Sequence, residues 1–217
     1  MNIPKLHYIS QGATPQDHLD NIQNACVSGA ELVQLRLKNT PEAVILETAK
    51  KAREITGHYQ TRLIINDHYK IAKTVKADGV HLGKTDACPK EAKAYLGKFY
   101  MVGGTANTLE DCEALIAKKV DYIGLGPFRF TTTKNNLSPI LGTQGYIAIL
   151  DALKTETPII AIGGITLEDV PEIVKTGVHG IAVSGEITKD FNRITKFNKK
   201  LKGPSTNEQV WKAPKNK

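Results

Sequence analysis

The chain has 217 residues, 41% hydrophobic and 24% charged, enough for one ordinary globular domain with a sizeable core. No run approaches the roughly 18 apolar residues of a membrane span and residues 1–17 lack a secretory apolar stretch, which predicts a cytoplasmic protein, while Cys26, Cys88 and Cys112 form no CxxC pair and speak against a disulfide framework or a cysteine zinc site. The net charge of +7 falls in residues 189–217, where nine Lys/Arg face only Asp190 and Glu208, so the excess marks a basic last helix and tail rather than a nucleic-acid surface.

Short apolar or β-branched runs alternate with helical stretches along the whole chain. Strands are expected at Lys5–Ser10, Leu32–Leu37, Arg62–Asp67, Gly79–Gly83, Tyr100–Thr105, Val120–Pro127, Pro158–Gly164 and Gly180–Gly185. Between them, apolar residues recur at helical spacing: Leu19, Ile22 and Cys26; Ile45, Ala49, Ala52 and Ile55; Leu115 and Ile116; Val170, Ile173 and Val174. Thr14/Asp17, Thr108/Asp111 and Thr166/Asp169 read as capping boxes, and Pro15 and Pro41 suit first helical positions. Eight βα units of about 25 residues predict an α/β fold, a compact (β/α)8 TIM barrel over residues 1–201. A basic tail at 202–217 would carry the single tryptophan, Trp211. An open doubly wound sheet is the alternative, but Ser10-Gln11-Gly12-Ala13 is not the glycine-rich fingerprint that such a sheet carries after its first strand.

A barrel of this kind works at the C-terminal ends of its strands. Period-two alternation on the second strand sends Gln34, Arg36 and Lys38 inward, toward the mouth, where unpaired cations call for an anion. The third strand ends Asn66-Asp67 and the fourth runs into Gly83-Lys84-Thr85-Asp86, bringing two carboxylates to neighbouring loops. Each Asp alone is as readily a helix cap, but together they suit a Mg2+ that keeps waters and binds through substrate phosphates. Gly103-Gly104-Thr105 offers close backbone approach and a hydroxyl. The stretch from Phe128 to about Gly145, with Thr131, Thr133 and Lys134, suits a loop that covers an active site and binds phosphate. Gly163-Gly164 and Ser184-Gly185 close the seventh and eighth strands, the recurrent phosphate site of the fold. His81 also points inward, most simply as a hydrogen-bonded core residue.

Taken in order, Gln34-x-Arg36-x-Lys38, Asn66-Asp67, the Ala-Asp-Gly-Val-His-Leu-Gly run at 77–83 with Asp86, Gly-Leu-Gly-Pro at 124–127, Thr131-x-Thr133-Lys134, Ile-Gly-Gly-Ile at 162–165 and Val183-Ser184 resemble the thiamine phosphate synthase family from about Tyr8 to Ile187. The resemblance implies a transferase that joins a hydroxymethylpyrimidine diphosphate to thiazole phosphate and releases pyrophosphate by way of a pyrimidinylmethyl cation. It implies Mg2+ on Asp67 and Asp86, and the diphosphate on Arg36, Lys38, Asn66 and Lys134, with Thr105 beside the leaving group. It implies further that Gln34 contacts the pyrimidine, and that Thr131, Thr133, Gly164, Val183 and Ser184 line the thiazole phosphate site. Lys84, Phe130 and Gly104-Thr105 depart from the family's common residues, and Lys84 is expected to alter metal binding at Asp86. Two alternatives are weighed. The related thiazole tautomerase carries a catalytic His where this chain has Asn107, which cannot shuttle a proton, and a non-catalytic phosphate-binding barrel would show broken metal or diphosphate positions. The partners implied are small phosphorylated molecules, with no membrane and no nucleic acid, and a homo-oligomer is left open.

Overall fold

The structure, a computed structural model, describes residues 2–130 and 139–202. Eight parallel strands form a closed barrel in sequence order: β1 Leu6–Ile9, β2 Leu32–Leu35, β3 Arg62–Asn66, β4 Gly79–Leu82, β5 Met101–Ala106, β6 Tyr122–Leu125, β7 Ile159–Ile162 and β8 Gly180–Val183. The ring closes through β1 against β8, with Leu6 opposite Ile181 and Tyr8 opposite Val183. The helices are α1 Pro15–Val27, α2 Glu42–His58, α3 Tyr69–Thr74, α4 Pro89–Leu96, α5 Leu109–Ala117, α6 Gly142–Leu153, α7 Val170–Lys175, α8 Gly185–Thr188 and α9 Arg193–Lys202.

All eight expected strands are present, most a residue or two shorter at their ends, where turn residues leave the ladder. The alternation divides the core in two. Val33, Leu35, Leu63, Ile65, Val80 and Leu82 face the helices in one apolar layer. Ile9, Leu32, Ile64, Met101, Tyr122, Ile160 and Ala182 fill the inside of the ring. Such a packed interior is a plug and not a pore, so a ligand must be met at its rim.

Helix starts follow the caps. Thr14 and Asp17 cap α1 reciprocally, as do Thr108 and Asp111 on α5. The third expected box does not start its helix. Asp169 accepts from the Thr166 amide and hydroxyl at 2.8 and 2.9 Å, yet α7 begins only at Val170. Asp169 is engaged elsewhere, by Arg129. Two further boundaries differ: Pro41 precedes α2 and is not its first residue, and the stretch after β6 ends at Gly142, not Gly145. α9 packs Ile194, Phe197 and Leu201 onto the barrel and runs to Lys202. The tail with Trp211 lies outside the described residues.

Candidate active site

The wall built by β2, β3 and β4 carries the charged groups. Gln34 is buried inside the ring, and its Nε2 donates to Asn66 Oδ1 at 2.8 Å. Asn66 Nδ2 is buried and has no partner among the described residues, an unmet donor that costs free energy until an acceptor arrives. The chain then turns sharply: Asp67 sits at φ +63°, a left-handed conformation that Asp tolerates better than most residues, while its amide stays bonded to the His81 carbonyl at 2.8 Å. β2 has ended at Leu35, so Arg36 and Lys38 lie on the rim beyond the ladder. Lys38, exposed, pairs with Asp67. Arg36 is half-buried, and its guanidinium makes no hydrogen bond or ion pair among the described residues. Burial lowers its affinity for a proton, and the nearby Asp67 charge offsets part of that.

Asp67 and Asp86 hydrogen-bond each other through their side chains. Burial pushes Asp67 up, but the bonds from Asp86 and Lys38 overcome it and hold Asp67 below the usual carboxylate range. Burial and the bond with Asp67 push Asp86 up. The Gly83 amide adds a 2.6 Å bond to Asp86 Oδ2 that orients it. Two neighbouring carboxylates are an oxygen donor set that a hard divalent cation can take over, and one or two carboxylates completed by phosphate oxygens are what Mg2+ commonly uses, so these residues fit that ion. Among the described residues no cluster of three or more metal-ligating side chains occurs. Lys84 pairs with Asp111 at 2.5 Å, so its charge is engaged on α5 and not on Asp86.

Across the mouth lies a cavity of about 450 Å³. Its floor and sides come from the ends of β1, β7 and β8, and Arg36 and Lys38 border it, which joins it to the charged wall. Gly163 and Gly164 have φ +99° and +69°, and a Cβ on Gly163 would lie 2.8 Å from Pro127 Cβ; the chain can turn here only without side chains. Arg129 holds this turn from the other side. Its guanidinium donates to the Gly164 carbonyl at 2.9 Å and to both Asp169 oxygens at 2.9 and 2.7 Å, a forked geometry. Ser184 Oγ lies 2.7 Å from the Ile9 carbonyl and 2.9 Å from Gln11 Oε1. Val183 borders the cavity, but its side chain packs in the helix-facing layer, so its part there is its backbone.

The third component is inside the ring. Thr105 stands at the end of β5 with Oγ1 3.0 Å from His81 Nε2, and His81 Nδ1 is 3.1 Å from the Tyr122 hydroxyl. His81 is buried and hydrogen-bonded, as expected. Asn107, where a tautomerase would carry its His, ties its amide to the Gly126 carbonyl. Thr131, Thr133 and Lys134 lie outside the described residues.

The structure therefore brings Gln34, Arg36, Lys38, Asn66, Asp67, Asp86, Thr105, Gly164 and Ser184 to one end of the barrel. It adds Ser10, Gln11, His18 and Arg129, which the sequence reading passed over. Ser10 Oγ accepts from the Arg36 amide at 3.2 Å and is hydrogen-bonded to His18 Nδ1 at 2.7 Å, fixing the backbone beneath Arg36. The sequence signal for Ser10 and Gln11 is their place after β1, a strand end like the other seven.

A family model described as thiamine monophosphate synthase matches residues 6–187. The thiamine-phosphate synthase of Flavobacterium psychrophilum is 47% identical over 203 residues, covering 91% of this chain and 98% of that protein. Thiamine-phosphate synthase 1 of Aquifex aeolicus is 38% identical, covering 79% of each. Among solved structures, the thiamine phosphate pyrophosphorylase of Pyrococcus furiosus superposes with a TM-score of 0.76 at 29% identity, covering 91% of this chain and 93% of that one.

Proposed function

This chain belongs to the thiamine monophosphate synthase family, and we propose that it joins hydroxymethylpyrimidine diphosphate to thiazole phosphate with release of pyrophosphate. The observation that carries this reading is a pair of donors at one rim without protein acceptors among the described residues: the Arg36 guanidinium and Asn66 Nδ2. Both suit the oxygens of a diphosphate. Lys38, with three N–H donors on a mobile stem, can keep Asp67 and still reach a phosphate oxygen. Lys134 joins them by its motif.

The chemistry follows from where charge develops. As the C–O bond to the diphosphate breaks, both electrons leave with oxygen, and fixed cations stabilise that charge as it grows. The thiazole nitrogen lone pair then forms the new C–N bond, so no side-chain nucleophile is needed. Asp67 and Asp86 would hold Mg2+, which supplies further positive charge to the leaving group. Gln34 would orient the pyrimidine. Gly163, Gly164, Ser184 and the hydroxyls Thr131 and Thr133 would hold the thiazole phosphate, keeping the acceptor nitrogen against the electrophilic carbon before water arrives.

The test mixes the purified chain with both substrates, with and without Mg2+, and follows thiamine phosphate and pyrophosphate. Product is expected only with the metal. Arg36→Ala is expected to cut turnover by about 10²-fold or more, as loss of a preorganised charge does. No thiamine phosphate from the intact chain would overturn the reading, and full turnover in Arg36→Ala would remove that residue from it.

A further inference from the structure

What Thr105 can do at the mouth is decided by the two residues behind it. In the barrel register, His81 lies opposite Gly103 and Gly103 opposite Tyr122. The middle position has no side chain, so the two rings close over it and stack with centroids 5.5 Å apart at 26°. A Cβ on Gly103 would lie 2.2 Å from Tyr122 Cζ, and one on Gly124 would lie 3.0 Å from His81 Cε1. His7 packs edge-on against Tyr122 from below, at 5.1 Å. The two rings are thus boxed in on several sides.

Tyr122 is 2% exposed, and burial pushes its phenol well above its ordinary range, so the hydroxyl keeps its proton. A buried hydroxyl proton needs an acceptor. The acceptor that the described residues offer is His81 Nδ1, at 3.1 Å. If Nδ1 accepts, it carries no proton, and the imidazole proton sits on Nε2. Nε2 then donates to Thr105 Oγ1 at 3.0 Å. In the opposite tautomer Thr105 would have to give its proton back to Nε2 and could offer the mouth nothing but lone pairs.

We propose that Tyr122 and His81 are positioning residues forming a one-way hydrogen-bond relay, Tyr122 to His81 to Thr105, which leaves the Thr105 hydroxyl proton committed to an anionic oxygen at the mouth. That this oxygen belongs to the leaving diphosphate rests on the function proposed above. The direction of the relay does not, because it is argued from the burial of Tyr122 and the two hydrogen bonds that His81 makes to Tyr122 and Thr105. The relay turns a hydroxyl, ordinarily free to donate or accept, into a fixed donor at the point where negative charge grows, which is the preorganisation that favours a transition state over a ground state.

Two measurements on the full chain test it. The first is the tautomer of His81 by 15N NMR, its signals assigned by their loss in His81→Gln. A bare Nδ1 with a protonated Nε2 supports the relay, and a proton on Nδ1 overturns it whatever the kinetics. The second is a kinetic cycle of Tyr122→Phe with Thr105→Ala and Thr105→Ser. Tyr122→Phe is expected to lower kcat roughly tenfold, the worth of one well-placed donor, with KM for thiazole phosphate unchanged. The effect should persist with Ser at 105 and vanish with Ala. An equal loss in the Ala background means that Tyr122 acts through packing and overturns the relay. A bare Nδ1 together with unchanged turnover in Thr105→Ala supports the relay while removing Thr105 from the proposed chemistry, so the two ideas fail separately.

Discussion

Replacing Tyr146 by Phe removes one oxygen from α6 and tests how the two glycine turns of the mouth are held. Tyr146 is fully buried; its hydroxyl donates to the Leu125 carbonyl at 2.6 Å and accepts from the Ile162 amide at 3.3 Å. Those two atoms end β6 and β7, just before Gly126-Pro127 and Gly163-Gly164. The ring itself stays, with Phe128 6.3 Å away, so no large cavity opens and the loss lies in hydrogen bonding. Losing two hydrogen bonds, at about 0.5–1.5 kcal/mol net for each, costs about 1–3 kcal/mol. A chain of this size shifts by about 2–4 °C for each kcal/mol, so a central cost of about 2 kcal/mol predicts a Tm drop of about 4–8 °C. Calorimetry measures the drop, and steady-state kinetics should show KM for thiazole phosphate rising while kcat holds. A Tm within a degree of the parent would mean that β6 and β7 need no bridge at this level, and the account of the glycine turns as a braced cradle would fall.

Arg129→Ala removes the fork that holds the Gly164 carbonyl and Asp169. Because the pair is half-exposed, stability should change little, but KM for thiazole phosphate should rise about three- to tenfold; equal effects on both substrates would count against a local brace. His7 gives a pH prediction. Burial lowers its pKa from 6.5 to about 4, the Pro4 carbonyl opposing and His179 adding to the shift. The unfolded chain therefore binds this proton first, and stability should fall as pH drops from about 6.5 to about 4, by about 3 kcal/mol in all. His7→Gln should flatten that slope in urea titrations across the window, and parallel curves for the two proteins would refute the assignment.

The barrel was legible because its evidence is local. Alternating β-branched runs and strand-end glycines announce eight strands, and Thr14/Asp17 and Thr108/Asp111 announce two helix starts within four residues each. Boundaries were less so: nothing in Gln34-Leu35-Arg36-Leu37-Lys38 says that the ladder stops at Leu35, because the alternation runs on past it. The gathering of charged groups at the mouth was legible where spacing within a strand carries it, as in Arg36 and Lys38 or Asn66 and Asp67. Pairings between neighbouring βα units were not. Lys84 beside Asp86 in sequence reads as a competitor for the metal, yet its ammonium reaches Asp111 on the next βα unit. Likewise Thr166/Asp169 reads as a cap because local order cannot reveal that Arg129, 40 residues earlier, takes the same carboxylate.

Those pairings between neighbouring βα units show how a mouth so rich in charge stays compatible with folding. Lys38 is balanced by Asp67, Lys84 by Asp111 and Arg129 by Asp169, so these cations at the rim each meet a carboxylate, in half-exposed pairs that moderate like-charge repulsion more than they add stability. Among the described residues Arg36 is the exception, half-buried, without an ion pair and drawn by the charge of Asp67, with the unmet Asn66 donor on the neighbouring strand. The glycine side of the mouth needs no such charge, since its anion would be met by amides and hydroxyls. The asymmetry supports the proposed placement of the two substrates on opposite sides: the ligand whose charge increases during the reaction would sit beside the unbalanced cation, and the ligand whose phosphate only anchors it would sit in the neutral cradle.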